Sequence, residues 1–196
     1  MTVPWHFIPT SDNRLQIHPV EELKNLRYNQ QNVPDVSLSA QEERAIDGLA
    51  SDCMELQMTI DPIEAQRFGL KLLCSPNCEE ETIIIYDHGQ KEFVIDFEKA
   101  STNEELVYPC GKYGKPLTSG NLKQTVPYVL EKKQVLNLNI LVDKSVIEIF
   151  VNGDICIVQR VYPAREDSQE VRLFTKDHQV KIRNVIKWDM EATNPW

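Results

Sequence analysis

With 30 acidic residues this chain has many formal carboxylate pairs, and one stands out by position. Asp143 and Glu148 flank the turn Asp143-Lys144-Ser145 and are expected on neighbouring strands, where both can point at one spot. Hydrolysis of a glycosidic bond uses two carboxylates separated by roughly 5 to 9.5 Å, one as proton donor and the other as nucleophile or base. The same two residues have a plainer reading. Asp is a natural turn former. Glu148 falls on the strand face of Val146 and Phe150, where a lone acid can bond neighbouring strands or face a partner domain. The plainer reading is preferred, and no residue is assigned as catalytic.

The other reactive side chains are scattered. His6, His18, His88 and His178 lie far apart, and His88 and His178 each follow an Asp in an expected turn, so solvated loop histidines are expected. No Gly-x-Ser-x-Gly elbow, glycine-rich phosphate loop or His-Glu-x-x-His helix is present, which removes the common nucleophile, nucleotide and metalloprotease patterns. The five cysteines, Cys53, Cys74, Cys78, Cys110 and Cys156, cannot all pair within one chain, so at least one thiol is free or bonds outside it. Cys74 and Cys78 bracket a Ser-Pro-Asn turn, where a local disulfide is one option. Structural zinc takes four ligands, and no second Cys or His pair stands at finger-like spacing, so neither a metal nor another cofactor is expected. Trp5, Tyr28, Tyr108, Tyr113 and Tyr128 fall in expected loops. Either they form a platform on which sugar rings stack, or they seal loops and a domain interface.

The elements that must position these groups are mostly strands. Met54, Leu56, Met58 and Ile60 alternate with Glu55, Gln57 and Thr59, the period of a half-buried strand. Phe68, Leu70 and Leu72 continue the theme, and Thr82 to Tyr86 leads through Asp87-His88-Gly89 into Phe93 to Phe97. Leu136 to Val142, Val146 to Val151 and Ile155 to Val161 follow, the last two joined by Asn152-Gly153, a strong hairpin signal because both residues tolerate positive φ. Val171 to Thr175 and Ile182 to Trp188 complete about nine strands; the last is expected to put Ile182, Ile186 and Trp188 on one face and Lys181, Arg183 and Lys187 on the other. Met1 to Ile17 reads as an extended lead-in with room for one hairpin. Pro19 to Arg27 reads as a short helix, with Pro at its first turn and Val20, Leu23 and Leu26 three apart. Glu98 to Pro127 is polar, rich in Gly and Pro, and reads as a long loop. Hairpin links without βαβ spacing predict an all-β fold: an antiparallel two-sheet β-sandwich of the lectin-like jelly-roll kind, with one short N-terminal linker helix. The 196 residues suit a single core.

The run Leu138 to Gly153, followed by Arg160-Val161-Tyr162-Pro163, resembles the tail module of glycoside hydrolase family 32, the invertases, levanases, inulinases and related β-fructosidases. That tail reads Val-Asp-x-Ser-x-x-Glu-x-Phe, then Asn-Gly, then Arg-x-Tyr-Pro; Asp143, Ser145, Glu148, Phe150, Asn152, Gly153, Arg160, Tyr162 and Pro163 match it in order and spacing. Met1-Thr2-Val3-Pro4 resembles the last strand of the family's propeller, Pro19 to Arg27 its linker helix, and Phe68-Gly69-Leu70 an early sandwich strand. Two departures mark a divergent branch: Trp5 stands where the propeller strand commonly carries Arg, and Asp96-Phe97-Glu98 where many members have Asp-Arg-Ser or Asp-Arg-Thr.

The resemblance implies a division at residues 1–35, the end of a propeller plus linker, and 36–196, the C-terminal sandwich. It also implies that the chemistry belongs to an upstream propeller whose Trp-Met-Asn-Asp-Pro-Asn, Arg-Asp-Pro and Glu-Cys motifs are absent here, so this chain is expected to be non-catalytic. Met1 would then lie several hundred residues into a longer protein. The expected partners are that propeller, a fructan or sucrose-like carbohydrate, and a second copy of the chain in a homodimer. A formal charge of -9 repels phosphate backbones and anionic lipid, and no apolar run approaches the roughly 20 residues of a membrane span, so neither nucleic acid nor membrane is expected. Family habit points to a parent enzyme that is extracellular or periplasmic; the cysteines leave the redox compartment open.

Overall fold

The computed structural model describes residues 2–108 and 122–192, and fifteen strands lie among them. β1 (Trp5–Pro9) and β2 (Leu15–Pro19) form a two-stranded hairpin, followed by a 3₁₀ helix (Glu21–Leu26). Side chains three apart eclipse in a 3₁₀ helix, which suits the spacing of Val20, Leu23 and Leu26. Then come β3 (Arg27–Val33), β4 (Val36–Leu38), β5 (Glu43–Ala45), β6 (Cys53–Asp61), β7 (Arg67–Cys74), β8 (Thr82–Asp87), β9 (Glu92–Asp96) and β10 (Lys123–Pro127). β11 (Leu136–Asp143), β12 (Val146–Val151), β13 (Ile155–Arg160), β14 (Glu170–Thr175) and β15 (Val180–Met190) complete the set.

All pairings are antiparallel. One sheet runs β13-β12-β11-β6-β15-β3, with β4 also on β15, and the other runs β10-β9-β8-β7-β14-β5. β3, on the N-terminal side of the boundary expected after residue 35, is thus an edge strand of the first, seven-stranded sheet. The two sheets meet in one buried cluster, to which the first contributes Leu56, Met58, Ile140 and Ile149 and the second Phe68, Leu70, Ile84 and Leu173. Removing each such side chain from water contributes about 1.5–3 kcal/mol. The expected β-sandwich is present. At Gly69 an added Cβ would lie 1.9 Å from the Ile84 carbonyl oxygen, so β7 and β8 pack too closely there for any side chain.

Several expectations are corrected. The faces of β15 are reversed beyond its middle: a bulge between Arg183 and Ile186, with Asn184 at φ +54°, shifts the phase. Lys187 therefore turns inward, 4% exposed and bonded to Asp189 at 2.5 Å, while Ile186 and Trp188 join the outer face. Among the described residues the first strand begins at Trp5, and Thr2 to Pro4 are outside it. β3, β4, β5 and β10 were not expected; β4 and β5 have only three residues, too few to show a period, and β3 and β10 are polar edge strands. Residues 109–121 of the expected long loop, with Tyr113 and Cys110, lie outside the described residues.

Candidate docking site on the seven-stranded sheet

The outer face of this sheet carries two buried carboxylates. Cross-strand register puts Glu55 of β6 and Glu148 of β12 on either side of Leu141 of β11, in one row over three strands. They are 1% and 2% exposed. A charge taken from water needs hydrogen-bonding partners; the first 27 residues supply those of Glu148 and two of the bonds to Glu55, which also accepts from the Gln57 amide at 3.1 Å.

Glu148 accepts the Val3 backbone N–H on Oε1 at 2.6 Å and the Trp5 indole N–H on Oε2 at 3.1 Å. The Trp5 ring stands edge-on to Phe150, with centroids 6.4 Å apart. At the far end of the β12–β13 hairpin the Gly153 carbonyl accepts the Ile17 N–H at 2.8 Å. Here glycine is needed twice: its φ is +73°, and an added Cβ would come within 2.8 Å of the His18 ring. The β12–β13 hairpin therefore holds both strands of the β1–β2 hairpin.

The linker is held beside it. Arg27, directly after the 3₁₀ helix, grips Glu55 with two bonds of 2.7 and 2.6 Å, the bidentate geometry that gives the stronger ion pairs. Its guanidinium lies 4.2 Å from the centre of the Trp188 ring. Glu191 N–H donates to Leu26 carbonyl at 2.8 Å, which ties the end of β15 to the end of the 3₁₀ helix.

The matched motif residues divide into those that serve this seat and those that shape the hairpin beneath it. Asp143 is exposed opposite Val146, one diagonal step from Glu148 on the same face. N–H donors from Val3 and Trp5 occupy both Glu148 oxygens. The Ser145 carbonyl accepts the Val161 N–H at 2.9 Å, and Arg160 is exposed opposite Val146. Asn152, at φ +51°, accepts the Asn137 N–H at 2.8 Å and donates to the Tyr128 hydroxyl at 2.8 Å. Burial pushes the Tyr128 phenol up to about 12, so it stays protonated and donates to Asp154 at 3.1 Å. The Tyr162 ring packs 5.6 Å from Tyr108, and Pro163 lines a shallow hollow with Ser145.

The aromatic side chains named as either a sugar platform or a seal are spread over the described residues, with Tyr113 outside them. Trp5 and Tyr28 are on strands, whereas Tyr108 and Tyr128 are buried against Phe97 and Phe93 respectively. His6 and His18, expected as loop residues, face each other across β1 and β2. Two further sites escaped the sequence reading. One is the Arg27–Glu55 pair, since Glu55 sits in the polar phase of β6 and reads as solvent-facing. The other is Glu80, wholly buried, whose carboxylate accepts from Thr102, Ala164, Arg165 and Ser168 and so ties three loop segments together. Among the described residues, Cys74, Cys78 and Glu81 place possible metal ligands within 4.8 Å of one another, but a Glu81 oxygen is ion-paired with Lys71 at 2.7 Å.

Comparison with known proteins agrees with this architecture. Residues 22–189 match the family model described as glycosyl hydrolases family 32 C terminal. The chain is 25% identical to a sucrose-6-phosphate hydrolase of Zymomonas mobilis over 99% of its own length and 35% of that protein's. It is also 25% identical to an insoluble β-fructofuranosidase isoenzyme of Oryza sativa subsp. indica, over 94% of the chain and 37% of the relative. It superposes on the fructosyltransferase of A. japonicus with a TM-score of 0.76 at 18% identity, covering 97% of this chain and 32% of that one. For fructan 1-exohydrolase IIa of Cichorium intybus the TM-score is 0.72 at 18% identity, covering 97% and 41%. The chain thus spans about a third of the length of the curated relatives it matches, and it belongs to the C-terminal domain family of the family 32 glycosyl hydrolases.

Proposed function

We propose that this chain is the non-catalytic sandwich end of a β-fructofuranoside-hydrolysing protein, and that it steadies an upstream catalytic propeller by gripping that propeller's last hairpin. The observation that carries this reading is the seat of Glu148 and Gly153 under the β1–β2 hairpin. That hairpin exposes Trp5, Phe7, Ile8 and Leu15, and a two-stranded sheet is marginal by itself in water. Strands added by a preceding propeller blade would cover these side chains and complete the sheet. Retaining hydrolysis of sucrose or fructan would then belong to the whole protein, working in an extracellular or periplasmic setting, with its carboxylates upstream.

A second reading, weak recognition of fructan by the module, draws on the groove between β2 and the seven-stranded sheet. His18, Gln57, Asn137, Asn139 and Phe150 line it, and the side-chain oxygen of Asn139 is buried without a hydrogen-bond partner. Neutral hydroxyl groups suit such a lining. Calorimetric titration of the chain with fructose, sucrose, inulin and levan, with reducing-sugar release followed in the same samples, separates the readings. The docking role predicts neither heat nor release. Saturable heat without release establishes the second reading, and fructose release that survives repurification overturns both.

A further inference from the structure

The turn between β7 and β8 holds two thiols that the docking role leaves unused. Cys74 ends β7, is fully buried, and is fixed in the ladder opposite Glu170. Cys78 lies four residues on, partly exposed, in a turn closed by its own N–H on the Ser75 carbonyl at 2.9 Å. Their sulfurs are 3.9 Å apart, in contact and unbonded. A disulfide needs about 2.05 Å. Closure falls on the Cys78 side, since Pro76 and Asn77 between them are exposed. Arg172 reaches over the turn and donates to the Pro76 carbonyl at 3.0 Å, placing a cation beside the pair.

We propose that Cys74 and Cys78 form a reversible dithiol–disulfide pair, oxidised by low-molecular-weight aliphatic disulfides. The accessible Cys78 gives its proton to solvent and attacks one sulfur of the external disulfide, releasing one small thiolate and leaving a mixed disulfide. Cys74 then attacks the Cys78 sulfur, its proton passing to the second departing thiolate. Two protein thiols become one disulfide, and the external disulfide becomes two thiols. Burial pushes the Cys74 thiol up to about 12, which fits the resolving partner and not the first attacker. A metal fits less well. Glu81, the third candidate ligand, is held by Lys71 at 2.7 Å and faces Lys99 at 3.8 Å, so cations already surround it. Oxidation would also clip the turn that leads into Glu80, whose N–H donates to Ser75 Oγ at 3.0 Å.

The test uses the chain with Cys53→Ser, Cys110→Ser and Cys156→Ser, incubated with oxidised glutathione and followed by thiol counting and peptide mapping. Both remaining thiols should disappear together without a lasting glutathione adduct, and reduced glutathione should restore them. Adding Cys74→Ser should leave a stable adduct on Cys78, and adding Cys78→Ser should leave Cys74 unmodified. Peptide mapping of the unsubstituted chain gives the same readout if the serine variants do not fold. A lasting adduct on Cys78 with Cys74 present, or no reaction at either thiol, overturns the proposal. So does stoichiometric zinc binding that protects both thiols from oxidised glutathione.

Discussion

Glu148→Gln keeps the size of the side chain and removes its charge. Two N–H donors, from Val3 and Trp5, point at the two carboxylate oxygens, while an amide has one oxygen and one NH₂. One donor therefore loses its acceptor, and the other keeps a neutral bond in place of a charge-assisted one. A hydrogen bond to a charged group contributes about 1.5–3 kcal/mol and a neutral one about 0.5–1.5. Trp5 is 36% exposed, so water replaces part of what is lost, and about 2 kcal/mol is the expected weakening of the hairpin seat. The loss is local. The β1–β2 hairpin can lift from the sheet without unfolding the sandwich, so hydrogen exchange is the right assay. At 1.4 kcal/mol per tenfold, amides of β1 and β2 should exchange about 30-fold faster, while those of β6 and β11 stay unchanged. Trp5→Phe removes one of the two bonds, and its coupling to Glu148→Gln should be about 1 kcal/mol. Unchanged exchange in β1 and β2, equal acceleration in β6 and β11, or coupling below about 0.5 kcal/mol would each refute the reasoning.

Arg27→Ala strands the buried Glu55 carboxylate and should cost about 3–5 kcal/mol in urea unfolding; adding Glu55→Leu should recover most of it, because the uncompensated charge goes too. Gly69→Ala drives a Cβ into the Ile84 carbonyl at 1.9 Å, and since that neighbour is backbone the loss should be about 3 kcal/mol or more, read from the urea midpoint. Glu80 predicts a pH dependence. Burial acts to raise its carboxyl, but the Ser168 hydroxyl and the N–H groups of Ala164, Thr102 and Arg165 outweigh it and hold the group below the usual carboxylate range. A lowered value in the folded state means its stabilisation is full above the ordinary Glu value of about 4.3 and is lost as pH falls through the folded value. Glu80→Gln should therefore lower stability at neutral pH and flatten the stability curve on its acid side, measured by urea unfolding across that range. A curve as steep as that of the unsubstituted chain would remove Glu80 from the account.

The long strands were legible because alternation is written residue by residue. Met54 to Ile60 and the three strands around Asn152-Gly153 each carry enough turns of the pleat to show which side is apolar. The Glu148 seat was legible in part: Glu148 could be placed on the strand face of Val146 and Phe150, with a partner domain named among its options. What occupies Glu148 could not be read, since Val3 and Trp5 are some 145 residues away and only the folded chain brings them together. The same holds for Arg27 with Glu55, and for the two loops, one through Thr102 and one through Ala164 to Ser168, that converge on Glu80. β15 shows the limit most directly. One bulge at Asn184 reverses the phase of every later side chain, and Lys187, charged and thus expected outside, is carried inward. Local pattern sets the period of a strand from the steric alternation of its own residues; the partner of a buried charge and the register past a bulge are set by chain segments distant in sequence, and these meet only in the tertiary fold.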